Sequence, residues 1–163
     1  PIHDLDLKLS QSEIKMGKEI LSKLVKSINT KTICLFTHAR DEKGFSEKWW
    51  MELYNRLKKE FADINIIEVL PGEKISNISF SEPTFYSKNV REIGALIRNT
   101  SLFIGPHSDI MHLASAVQIP TIGLFSSTDS NKYEPYNEGS LAVNTNYYSN
   151  NEIIKIIAQR IDC

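Results

Sequence analysis

Cysteine is scarce in this chain. Only Cys34 and Cys163 occur among 163 residues, which excludes a disulfide framework. Cys34 sits in the apolar run Ile33-Cys34-Leu35-Phe36 and is expected to be a buried thiol acting as a small hydrophobe, as suits a reducing cytoplasm. Charge of one sign is also missing: 19 Lys and Arg against 20 Asp and Glu leave a formal charge of −1. Whole-surface attraction to nucleic acid is therefore excluded, a local basic patch is not, and no nucleic-acid partner is expected. No apolar run approaches the roughly 18 residues of a membrane-spanning helix, so no transmembrane segment is expected, and no signal peptide opens the chain. It begins at Pro1 without an initiator methionine, as expected of a processed chain or a piece of a longer one.

Several chemical signatures are absent as well. There is no Gly-rich P-loop and no GxGxxG fingerprint, which disfavours the ordinary nucleoside-triphosphate and dinucleotide classes. Ser108 lacks the strained GxSxG setting of an esterase nucleophile. His107, Asp109 and His112 form a His-x-Asp-x-x-His pattern that matches no familiar ligand spacing, and no cysteine joins it. No metal and no cofactor are expected.

What is present is ordinary globular composition, 41% hydrophobic and 24% charged. Ser10-Gln11-Ser12-Glu13 reads as a capping box opening a helix over 11–28. A buried strand is predicted over 32–37, a Ser46-capped helix to residue 61, and a strand over 64–70 stopped by Pro71-Gly72. Further on come a short extended piece at 84–86, a helix over 89–99 and a strand over 101–104 broken by Gly105-Pro106. A helix over 109–117, strands over 121–125 and 141–144, and a final helix from Ser149 complete the chain. Helices alternate with uniformly apolar strands, which points to one α/β domain over 1–163: a Rossmann-like parallel sheet covered on both faces.

Ligands of such sheets bind beyond the carboxyl ends of the strands, next to helix N-termini that attract anions. Three loops meet that description. The first, after Thr37, carries His38, Arg40 and Lys43, a convergent set of hydroxyl, imidazole and cationic donors suited to phosphate; its bland counterpart is a solvated loop. In the second, Gly105-Pro106-His107-Ser108-Asp109-Ile110-Met111-His112, Ser108 is placed to cap a helix whose first amides face the crevice. There His112 either orients the loop or is a satisfied core histidine, and Met111 either lines the site or simply packs. The third loop offers Thr128 and Asp129, with ordinary turn chemistry as the alternative.

These loops together resemble the C-terminal half of glycosyltransferase family 9, the ADP-heptose:lipopolysaccharide heptosyltransferases. That family shows Asp-Ser/Thr-Gly-x-x-His-Leu, then Gly-x-Pro-Thr, then Leu-Phe-Gly-Pro-Thr-Asp-Pro. The counterparts here are His107 to Leu113, Ile119-Pro120-Thr121, and Leu124 to Ser130, with Arg40 to Trp50 similar to the family's lysine loop and following helix. The resemblance implies one half of a GT-B enzyme, inverting, in which this half binds a nucleotide-sugar donor such as ADP-heptose. The absent N-terminal half would hold the lipopolysaccharide-core acceptor and supply the catalytic base, leaving this chain inactive alone. Lys43 would contact the donor phosphates, with Ser108 and the following amides holding the diphosphate and sugar, and His112 supporting their loop. Glu68 and residues 87–90, including Lys88, would approach the nucleoside, and Thr128 and Asp129 would line the cleft. The enzyme would work in the cytoplasm, peripheral at the inner membrane.

The chain departs from the family pattern at two positions of the second loop. His107 replaces the family's Asp and Asp109 its Gly. A carboxylate in that first turn competes with a diphosphate for the same dipole, a contact costing on the order of a few kcal/mol at intermediate dielectric. A protonated His107 would offset it, or Asp109 would turn outward toward sugar hydroxyls. Two other readings stand beside the enzyme: a nucleotide-sugar-binding module without transferase activity, and an unrelated flavodoxin-like regulatory domain.

Overall fold

The computed structural model describes residues 7–38, 45–126 and 140–161. Among these residues six strands form a single sheet: β1 (Thr32–Leu35), β2 (Asn65–Leu70), β3 (Thr84–Tyr86), β4 (Leu102–Pro106), β5 (Thr121–Phe125) and β6 (Leu141–Asn144). Their order is β3-β2-β1-β4-β5-β6 and every pairing is parallel. This is the doubly wound order; a flavodoxin-like sheet would run 2-1-3-4-5, so that alternative is corrected by the topology.

Among the described residues, five helices cover the sheet. On one face lie α2 (Glu47–Glu60) and α5 (Asn150–Ile161), whose Trp50, Leu53, Leu57, Ile153 and Ile157 pack on Ile33, Leu35 and Ile104. On the other lie α1 (Gln11–Leu24), α3 (Val90–Arg98) and α4 (Asp109–Ala116), whose Leu21, Ile93, Leu96 and Ala114 pack around Cys34, Ile67 and Phe103. Successive strand residues thus serve opposite cores, which is why the strands read as continuous apolar runs. Cys34 is fully buried, and burial, reinforced by the Glu68 carboxylate, pushes its thiol far above the ordinary range, where it is inert.

The expected capping box is present: Glu13 N donates to Ser10 Oγ at 3.1 Å and Ser10 N to Glu13 Oε1 at 2.9 Å. Helix α1 ends four residues before the predicted 28, because Val25 turns extended after its N–H bonds Leu21 O. Ile28 nevertheless packs on the core from the following turn. At Gly17, α1 meets α3 backbone to backbone: an added Cβ would lie 2.1 Å from the Ala95 carbonyl oxygen. The same seam is tied by Asn99 Nδ2 donating to Ile14 O at 3.0 Å, and by Arg91 gripping both oxygens of Glu13 at 2.7 and 2.8 Å.

Strand β4 differs from its prediction in the opposite sense. It does not break at Gly105-Pro106 but continues through them, in register with Gly123 and Leu124. Phe103 N and His107 N donate to Pro120 O and Leu124 O on the β5 side. The intervening Pro106 nitrogen therefore faces β1, whose register with β4 ends at Leu35 and Ile104. A missing N–H costs no ladder bond there. The result is a notch between β1 and β4, from which the chain leaves β1 toward α2 and β4 toward α4 on opposite faces. That divergence makes a crevice at the carboxyl edge.

Candidate functional site

The β4–α4 turn forms one wall of the crevice. Ser108, extended at φ −173 and ψ 168, caps α4: its hydroxyl accepts from Met111 N at 3.2 Å and donates to Pro106 O at 2.9 Å. The hydroxyl is thus committed to shaping the turn. The groups left for an anion are the amides of Asp109 and Ile110, which the first turn of any helix leaves without intrahelical partners. Asp109 itself is exposed, the outward placement that the sequence offered as one of its two options. Met111 is fully buried in the core beneath α4, so its side chain packs and does not line the crevice.

His107 and His112 flank the cap on either side. Their rings stand perpendicular, 88° apart with centroids at 5.2 Å, and the two Nε2 atoms approach to 3.3 Å. These are the positions just before the cap and four residues into the helix, where an apolar staple often closes a helix start. Here two imidazoles occupy them. The spacing was visible in the sequence once Ser108 was taken as the cap, and it is the signal that would have predicted this contact.

The opposite wall begins at the end of β1. Thr37 is fully buried, donates its hydroxyl to Glu68 Oε2 at 2.5 Å and accepts from Asn77 N at 2.8 Å. Asn77 Nδ2 returns to Thr37 O at 2.8 Å. The residue expected to offer a hydroxyl to a ligand therefore uses it to stitch the loop after β2 onto β1. Glu68, also fully buried, faces the same side of the sheet as Ile66, and its Oε1 has no hydrogen-bond partner among the described residues. Burial raises the Glu68 carboxyl above the usual carboxylate range, while the Thr37 and Ser76 hydroxyls act in the opposite direction. His38 lies 3.4 Å from Glu73 Oε2, so its ring meets a carboxylate across the loop.

Of the residues singled out from sequence, Thr37, His38, Glu68, His107, Ser108 and Asp109 stand at the ends of three adjacent strands, β2, β1 and β4. Lys88 is exposed just ahead of α3, past the end of β3. Strand β3 is three strand spacings, about 14 Å, from β4. Arg40, Lys43, Thr128 and Asp129 lie outside the described residues. Sequence reasoning missed Ser76 and Asn77, which sit in a polar stretch with no periodicity. Only their partners on β1 and β2 give them a role. No group of three or more His, Cys, Asp or Glu with metal-binding geometry occurs among the described residues, and no described helix is long and apolar enough to cross a membrane.

Residues 87–156 match the model of glycosyltransferase family 9 (heptosyltransferase). A stretch of 47 residues is 47% identical to lipopolysaccharide heptosyltransferase 3 of Escherichia coli strain K12, covering 29% of this chain and 14% of that protein. The fold superposes on a family 9 glycosyl transferase from Veillonella parvula with a TM-score of 0.79 at 13% identity, covering 96% of this chain and 53% of that one. It superposes on the E. coli ADP-heptose lipopolysaccharide heptosyltransferase II with a TM-score of 0.72 at 12% identity, again over 96% and 53%. The chain thus spans about half the length of these solved proteins. The resemblance to family 9 read from the loops is borne out, and strand β4, the His107–Ser108 turn and α4 all fall within the matched residues.

Proposed function

We propose that this chain is the donor-binding half of an inverting glycosyltransferase that transfers heptose, or a related sugar, from an ADP-linked donor to lipopolysaccharide core. The observation that carries this is the Ser108-capped start of α4, set in the crevice between β1 and β4 and inside the segment that matches the family. The names of the similar E. coli proteins supply the sugar, the nucleotide and the lipopolysaccharide context.

In this reading the donor diphosphate lies on the amides of Asp109 and Ile110, with Lys43 and Arg40 of the loop after β1 as its cationic contacts. The nucleoside runs along the strand ends toward Glu68 and Lys88, and Thr128 and Asp129 line the remaining edge. An acceptor hydroxyl attacks the anomeric carbon, the bond from that carbon to the diphosphate oxygen breaks, and nucleoside diphosphate leaves. The fixed amides, the helix dipole and the Lys43 ammonium stabilise the charge that develops on the leaving oxygen, so no cation is required. The general base that takes the hydroxyl proton, and the acceptor site, belong to a second half of the enzyme, and this chain alone turns nothing over. The enzyme works in the cytoplasm against the inner membrane, where its acceptor is built.

The test is calorimetric titration of the chain with ADP. Binding is expected, and Lys43→Ala should weaken it about tenfold to a hundredfold, the loss of one charge-assisted contact, with the melting temperature unchanged. Failure to bind any nucleoside diphosphate would remove the donor assignment. The exposed Asp109, where the family has Gly, favours a second reading, a module that binds the donor without transferring it; turnover by the two-domain protein would dismiss this.

A further inference from the structure

A hydrogen bond between two imidazole Nε2 atoms holds a single proton between them. In the neutral pair one ring carries its hydrogen on Nε2 and donates it, and the other carries its hydrogen on Nδ1 and accepts. One further proton, taken up on the free Nδ1 of the donating ring, makes that ring an imidazolium and converts the contact to a charge-assisted N–H⁺···N bond, which is stronger. A second further proton would set two N–H groups against each other and break it. The His107–His112 contact, at 3.3 Å between Nε2 atoms, therefore has two stable charge states, zero and plus one.

The start of α4 decides between them. With the crevice empty, the positive end of the helix disfavours the charged pair; an anion seated on the first-turn amides reverses that sign. We infer that the His107–His112 pair takes up one proton when the donor diphosphate binds, so that the histidine standing where the family has Asp becomes a positioning cation that balances Asp109. This rests on the donor-binding reading above. Among the described residues, the charged groups on the elements around the pair are the following. Asp109 shares its turn and is exposed, and His38 after β1 is engaged by Glu73. Glu68 at the end of β2 is buried, and Lys88 stands ahead of α3. On α3 itself Arg91 is held by Glu13, and β5 carries no charged residue.

The experiment is calorimetry of the chain with ADP-glucose, whose diphosphate diester does not titrate near neutrality, in buffers of different ionisation enthalpy. Uptake approaching one proton is expected near neutral pH, with affinity rising up to about tenfold for each pH unit lowered through the histidine range. His107→Asn, which keeps a polar partner for His112, should bind more weakly at low pH and lose the uptake, while its thermal melting shows that it folds. Binding without proton uptake overturns this inference and leaves the donor assignment standing. Uptake that persists undiminished in His107→Asn places the proton elsewhere, on His38 for instance, and also overturns it. If neither ADP nor ADP-glucose binds at any pH, both readings fall.

Discussion

The α1–α3 seam and the crevice between β1 and β4 are built from similar residues to opposite ends. Each brings together a carboxylate, a capping serine and an amide side chain. In the seam every one of these groups is answered by another from the same two helices: Glu13 caps its own helix and grips Arg91, and Asn99 bonds Ile14 O and Ala95 O. At the crevice the polar groups also bond one another, but the set does not close. Among the described residues, Glu68 is buried with one oxygen unanswered, the first-turn amides of α4 have no intrahelical partners, and two imidazoles share one hydrogen. A closed network stabilises; an open one is held in readiness for something that completes it.

The largest break in that comparison is Gly17→Ala. The new methyl cannot fit against the Ala95 carbonyl, so the helices must part, at a cost of about 2–3 kcal/mol. Denaturant unfolding should show that loss, while ADP affinity of the folded fraction stays as it was. A smaller effect of a different kind is expected from Ser108→Ala. Losing the cap costs about 1 kcal/mol of stability. The turn that aims the amides is also loosened, so ADP affinity should fall along with the melting temperature. If Ser108→Ala left affinity untouched, the two regions would not differ as described.

The smallest effect is the pH response of the seam. The Arg91 guanidinium, then the Ser10 amide, hold the half-buried Glu13 carboxyl down at about 2. Its folded-state value lies below the ordinary 4.5, so its contribution is complete above about pH 4.5 and disappears as pH falls through about 2. Glu13→Gln should flatten the acid limb of a melting-temperature profile over that window and leave the neutral region alone.

Much of the fold was legible because it is local. Ser10 with Glu13, Ser46, Asn89 and Ser149 with Glu152 each mark a helix start by a short-range bond, and each strand announces itself as an apolar run. Boundaries were less legible where the outcome depends on a neighbour. Pro106 reads as a strand breaker, yet its nitrogen faces the gap beyond the end of β1 and interrupts nothing. The site was legible to the same degree. The turn after β4 and the role of Ser108 as cap were read correctly, and of the two readings the sequence left for Met111, lining the site or packing, the structure shows packing. Thr37 offers a hydroxyl in the sequence, but the structure shows it already spent on Glu68 and Asn77.

By itself the sequence determined the alternation of helix and strand, the cap of α4 and the resemblance to family 9, since these depend on spacing within a few residues or on motif order. Tertiary structure alone decided which strands lie side by side, and so which loops share a crevice. It also decided which polar groups were consumed in building that crevice and which were left over. Hydrogen bonds between residues 31 and 40 positions apart exist only once β1 and β2 have paired, and no periodicity in the chain encodes them.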